Sequence, residues 1–129
     1  MTRLEQQVPR RWILEDNEKP WTINAERTWH YQKRAKFVKG ARTRFGVLAL
    51  AEHIPHLDQV TIEAVPIAKD RRGIQDVAAC LPAVKAGIDS LVDTGVLTDD
   101  TPEYVLSLKF WPTQVLGYNG LRLIITEAG

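Results

Sequence analysis

The chain has 129 residues, 44% of them apolar and 26% charged, and a net charge of +1. That is the composition of one ordinary folded domain, long enough to bury a core, and it excludes a disordered chain. No apolar run approaches the roughly 20 residues that span a bilayer, the opening MTRLEQQVPRRW lacks the apolar stretch of a secretion signal, and the single cysteine, Cys80, cannot close an internal disulfide. A reducing, cytoplasmic compartment is therefore expected. The small net charge hides a division. Residues 1–48 hold eleven Lys/Arg against five Asp/Glu, a balance of +6, and residues 49–129 hold six against eleven, a balance of −5. Charge sorted in this way points to interaction surfaces.

Residues 1–10 are polar and are expected to fray, leaving 11–129 as a single domain. Arg11–Glu15 reads as a short strand. After a charged turn, Pro20–Ala25 reads as extended, with Asn24 a candidate helix cap. A long helix is expected over residues 25–48. Phe37, Ala41, Phe45 and Leu48 recur at helical spacing on its inward side, and Lys36, Lys39 and Arg42 lie on the other. No acid occurs between Arg27 and Ala51. A solvated helix face usually mixes signs, so a polyanion surface competes evenly here with plain solvent exposure. His53 and His56 flank Pro55 in a loop and read as surface residues rather than a metal pair.

Val60–Val65 alternates with period two and reads as a strand, with Pro66 marking its end or edge. A polar loop follows, and then a second helix over roughly 76–93, with Asp76 as its cap and Gly95 as its stop. Pro82 is awkward so far inside that helix. Glu103–Trp111 reads as a strand with Tyr104, Leu106, Leu108 and Phe110 on one face, and Leu121–Thr126 as the last strand. The expected class is α+β. The order is β-α-β-α-β-β, in a mixed or largely antiparallel sheet with two helices on one face and the last two strands paired as a hairpin.

There is no glycine-rich phosphate loop, nucleophile elbow or Cys/His metal pattern. The remaining candidates are acidic: Asp76 before the second helix, and Asp99 and Asp100 in the turn after it. Each has an ordinary role as cap or turn former. Together they could bind Mg²⁺, which takes carboxylate and water oxygens and hydrolyses phosphodiesters by activating water. The two groups lie at opposite ends of a helix, so spacing alone does not bring them together. Lys85 lies between them and could stabilise charge on a phosphate. Its alternative role is an i,i+4 pair with Asp89, worth tenths of a kcal/mol.

The stretch Asp70-Arg71-Arg72, Asp76, and Pro82 through Val105, with Lys85 and the Asp99-Asp100 turn, resembles the RusA-like Holliday junction resolvases in the form carried by actinobacteria and their phages. Pro20–Arg27 is similar to the family's N-terminal signature, and Leu121–Ala128 to its last strand. The resemblance covers nearly the whole chain from about Trp12. It implies a homodimeric, Mg²⁺-dependent endonuclease that nicks two opposing strands of a four-way DNA junction. Asp76, Asp99 and Asp100 would lie near the metal, with Lys85 as the basic partner. Asn24, Lys33, Arg34, Lys36, Lys39, Arg42, Arg71 and Arg72 would contact DNA. Trp21 or Trp29 has a core role or stacks on a base. The chain departs from the family pattern Asp-x-Asp-Asn-Leu, which here reads Asp76-Val77-Ala78-Ala79-Cys80. The second acid and the asparagine are both alanine. Asp70 is the candidate replacement carboxylate, against an ordinary loop role. Three readings follow: a nuclease, a catalytically degenerate protein that binds branched DNA, or an α+β interaction protein with no nucleic-acid role.

Overall fold

The computed structural model describes residues 8–128. Five strands form one mixed sheet: β1 (Arg11–Asp16), β2 (Val60–Ala68), β3 (Val105–Phe110), β4 (Gln114–Val115) and β5 (Gly120–Glu127). Three helices accompany it: α1 (Ile23–Glu26), α2 (Tyr31–Ala51) and α3 (Leu81–Asp93), with a 3₁₀ turn at Arg71–Gly73. The α+β class is as expected from the sequence. Of the stretch expected to fray, residues 1–7 lie outside the described residues, whereas Arg10 holds Glu127 through two hydrogen bonds of 2.8 and 2.9 Å.

The sheet order is β1-β5-β2-β3, with β4 on β2 beyond the end of β3. β5 is antiparallel to both β1 and β2, and β3 and β4 run parallel to β2. The hairpin expected between the last two strands does not form. Parallel strands need a long crossover, and α3 supplies it between β2 and β3. The core is built from one face of the sheet: Leu14 of β1, Val60, Ile62 and Ala64 of β2, and Leu121, Leu123 and Ile125 of β5. Against it lie Ala41, Phe45 and Ala49 of α2 and Val84, Ile88 and Leu91 of α3. This is the period-two and period-3.6 alternation of the sequence meeting in space. Gly87 permits the closest approach, because a Cβ there would stand 2.5 Å from Leu123 Cδ1 and 3.2 Å from the Phe45 ring.

Several boundaries differ from expectation, each for a local reason. The helix expected over 25–48 is two helices. Thr22, not Asn24, caps α1 by accepting from the Ala25 N–H at 3.1 Å. After a break at 27–30, His30 caps α2 by accepting from Gln32. α3 starts at Leu81 rather than 76. Asp76 is therefore not its cap, and Pro82 falls in the first turn, where its missing N–H forfeits no bond. Gly95 does stop the helix, at φ +82°.

Pro66 sits inside β2, not at its end. The carbonyls of Ala64 and Ala68 accept from Trp111 and Leu116, so Pro66, between them in the alternation, faces the same neighbours. β3 ends opposite Ala64 and β4 begins opposite Ile67. The residue without an N–H thus occupies the gap between the two partner strands. A bulge explains the last discrepancy: Val60 pairs with Val105 but Thr61 with Ser107. The extra residue turns Leu106 outward, 48% exposed, while Leu108 and Phe110 still pack on the core.

Candidate active site and nucleic-acid interface

The expected site residues gather in two places. At the first, the Asp99–Asp100 turn folds back on the second turn of α3. The Lys85 ammonium donates to Asp100 Oδ2 at 2.6 Å and stands 4.0 Å from Asp89 Oδ1. Asp99 Oδ1 accepts from the Asp100 backbone N–H at 2.8 Å, which fixes the turn. The hydrogen bond to Asp100 raises the Lys85 pKa, with Asp89 and Asp99 adding to it. The same bond holds Asp100 below the usual carboxylate range. Asp89 moves the other way: burial raises its pKa, and Asp100 adds to the rise while Lys85 and Arg42 oppose it. Asp89, read from sequence only as a partner for Lys85, belongs to this cluster. Its i,i+4 spacing from Lys85 was the available signal.

At the second place, Asp76, Asn24 and Arg72 line one hollow of about 310 Å³, together with Lys19. The Ile23 N–H donates to the Ala79 carbonyl at 2.9 Å and ties α1 to the loop before α3, which is how Asn24 comes beside Asp76. Gln75 braces the loop by donating its backbone N–H to Thr113 and its side-chain amide to the Pro20 carbonyl. Its Oε1 is buried with no hydrogen-bond partner among the described residues. Asp70 is engaged as the cap of the 3₁₀ turn, accepting from the Arg72 N–H and guanidinium.

Ala78 has a φ of +67°. A β-carbon is strained in the left-handed region, and Asp and Asn tolerate that region better than other side chains do. This is the position at which the resemblance expects the second acid.

The donor set can be set against a magnesium ion. Among the described residues, no group of three His, Cys, Asp or Glu side chains could hold a metal. Two carboxylates, Asp89 and Asp100, do share a site, and Mg²⁺ is commonly held by one or two carboxylates with substrate oxygens and water completing the shell. The residues fit an ion completed by a phosphate. They do not fit a closed protein cage. Cys80 is buried and its thiol pKa is pushed up to about 11 by desolvation, so it is neither a ligand nor a nucleophile here.

The basic residues of α2 separate into two groups. Arg42 makes a bidentate pair with Asp93 at 2.6 and 2.9 Å. Arg44 does the same with the buried Asp16 at 2.8 and 3.1 Å. Arg34 lies 3.8 Å from Glu26. Lys33, Lys36 and Lys39 are exposed, and none forms an ion pair among the described residues. Arg71 is likewise exposed and unpaired there. Tryptophans 21 and 29 and Phe37 form a cluster, with ring centroids 4.4 Å apart for Trp29 and Phe37 and 5.7 Å for Trp21 and Phe37. Trp21 is buried, but Phe37, expected in the core, is 39% exposed. Of the described helices, none is long and apolar enough to cross a membrane.

No family model matches the chain, and no curated protein matches it.

Proposed function

We propose that the protein is a Mg²⁺-dependent, structure-specific endonuclease that acts on branched DNA, of which four-way junctions are the leading substrate. The observation that carries this reading is the convergence of Asp100 and Asp89 on Lys85, with Asp99 fixing the turn that delivers Asp100. Lys85 and Asp100 are fifteen positions apart in the chain, a spacing that by itself does not bring them together. Two further features support it: a second group of polar residues (Asn24, Arg72, Asp76) in one hollow, and an exposed lysine row on α2.

In this reading Asp100 and Asp89 would hold the metal, and Asp76 would lie in the neighbouring hollow on the path of the DNA. When bound, Mg²⁺ supplies an activated water and a counter-charge for the leaving oxygen. Lys85 keeps Asp100 ionised and in place, and can transfer its hydrogen bond to a phosphate oxygen. Lys33, Lys36, Lys39 and Arg71 contact backbone phosphates, which gives affinity without sequence information. Arg34, Arg42 and Arg72, already engaged with carboxylates, contribute less. A junction with two-fold symmetry calls for a two-fold protein, so a homodimer in the cytoplasm of a bacterium or phage-infected host completes the proposal.

The test is nicking of a synthetic four-way junction with Mg²⁺ by the protein and by its Asp100→Asn variant. The variant should lose cleavage by about a hundredfold or more while still binding the junction. Equal cleavage by both would remove Asp100 from the chemistry.

One observation favours a second reading. Ala78 and Ala79 occupy the positions of an acid and an asparagine, and no three-acid group is assembled among the described residues. A protein of this kind would bind branched DNA without cutting it. Junction binding without cleavage in any divalent ion, and cleavage created by the double change Ala78→Asp and Ala79→Asn, would select this reading over the first.

A further inference from the structure

The cluster of Trp21, Trp29 and Phe37 is not buried as a whole. Phe37 is 39% exposed and forms one wall of a cleft of about 290 Å³ between the connector after β1 and the outer side of α2. The other walls are Glu18, Lys19, Trp21, Lys36, Gly40 and Arg44. The Arg44 guanidinium is engaged with Asp16. That leaves Lys19 and Lys36 as cations facing one acid, Glu18. A third ammonium, Lys33, stands 4.7 Å from the Trp29 centroid and 5.9 Å from that of Phe37.

The aromatic wall is braced. Trp21 Nε1 donates to Glu26 at 2.8 Å, and the T-shaped contact of Trp21 with Phe37 limits the movement of the exposed ring. The floor is open because residue 40 is glycine. A Cβ there would already lie 3.0 Å from the end of the Arg44 side chain, so a longer side chain would fill the space. Lys19 also lines the hollow of Asn24, Arg72 and Asp76, so the two depressions are neighbours.

We propose that this cleft holds an unpaired nucleotide of a DNA strand, with its base against Phe37 and its phosphate between Lys19 and Lys36. An exposed aromatic ring inside a positive groove is the combination by which proteins hold single strands, since every base offers a π face. Paired bases in a duplex are already stacked and cannot enter. Nucleotides at or next to a branch point can. The proposal rests on the branched-DNA reading and deepens it by assigning a subsite for unstacked bases beside the Asp76 hollow.

The experiment measures binding of a labelled oligothymidylate and of a duplex of equal length, at one salt concentration, by fluorescence anisotropy. Quenching of tryptophan emission is followed in parallel. The protein should bind the oligothymidylate with quenching. Phe37→Leu removes the π face, and Gly40→Leu fills the floor. Each should weaken oligothymidylate binding about tenfold, the loss typical of one stacked base, and leave duplex binding within about twofold. The side chain of Gly40→Leu meets the end of Arg44, so a third variant, Lys19→Ala at an exposed connector residue, keeps the test decisive should the other two fail to fold: it should weaken oligothymidylate binding several-fold and duplex binding less. Equal loss on both ligands, no loss on either, or no binding of the oligothymidylate by the unaltered protein would each overturn the proposal. Junction nicking is scored separately. Nicking retained alongside any of those outcomes removes the cleft alone, whereas absent junction binding and nicking remove the nuclease reading.

Discussion

Along α2 the arginines and lysines behave differently. Arg34, Arg42 and Arg44 end on carboxylates from other segments, while Lys33, Lys36 and Lys39 meet no carboxylate among the described residues, and Lys33 lies instead over the Trp29 ring. Around Lys85 the balance is reversed, with one lysine bonded to Asp100 and close to Asp89, and Asp99 in the same turn. The chemistry of the side chains accounts for the contrast. The planar guanidinium fork matches a carboxylate in two places at once, whereas a flexible, strongly hydrated ammonium gains less from an internal pair. The +6 balance of residues 1–48 therefore overstates the charge available to a partner. Half of the six basic residues of α2 tie the fold together. The acids around Lys85 outnumber the cation they share, and that imbalance is what makes it a candidate site.

If this division is correct, substitutions in the two regions separate activity from stability. The largest effect expected is on catalysis. Asp100→Asn should reduce junction nicking by about a hundredfold or more, whereas Lys39→Ala should weaken junction binding a few-fold at moderate salt and flatten its salt dependence. Similar losses of nicking from both would erase the distinction. Next comes stability. Arg44→Ala strands the buried Asp16, 6% exposed, and should destabilise the fold by about 2 kcal/mol in chemical denaturation. Lys36→Ala should change it by less than about 0.5 kcal/mol.

A third expectation concerns the loop between the two groups of site residues. Ala78→Gly should raise stability by about 1 kcal/mol, because glycine accepts a φ of +67° without strain. A loss of stability would show that the Ala78 methyl makes a contact that outweighs the strain. The smallest effect is electrostatic and has a definite sign. The pKa of Asp89 is raised in the folded protein, so its ionised form works against folding. Stability from this group is regained as pH falls through that raised value toward the ordinary Asp pKa of about 3.9. Asp89→Asn should therefore be more stable than the parent at pH 7, by a few tenths of a kcal/mol for a half-buried group still reached by solvent, with the difference vanishing in acid. Asp100, whose pKa is lowered, contributes in the opposite sense. Its stabilisation is complete above the ordinary Asp pKa and disappears as pH falls through its depressed value. Thermal melts across pH, read for both Asn variants, check the pair of signs.

The parts of the fold legible in the sequence are those set by neighbours along the chain. The period-two run from Val60, the strands at Arg11 and Leu121, and the stop at Gly95 come from local alternation and from one residue that accepts a positive φ. The helical spacing of Ala41 and Phe45 likewise marks them as inward, and both are buried. Pairing was not legible. Whether β3 joins β2 or β5 depends on where the crossover through α3 delivers it, and Pro66 is tolerated in a central strand only because β3 and β4 leave a gap beside it. The candidate site divides along the same line. Asp76, Asp99, Asp100 and Lys85 could be named from residue type and resemblance, but only the folded chain brings Asp100 to within 2.6 Å of Lys85 and adds Asp89 to them. Charge shows the same limit. Its sign and its sorting are properties of the sequence. Which cations meet an acid within hydrogen-bonding distance is a property of the packing, because an ion pair forms between segments whose separation along the chain says nothing about their separation in space.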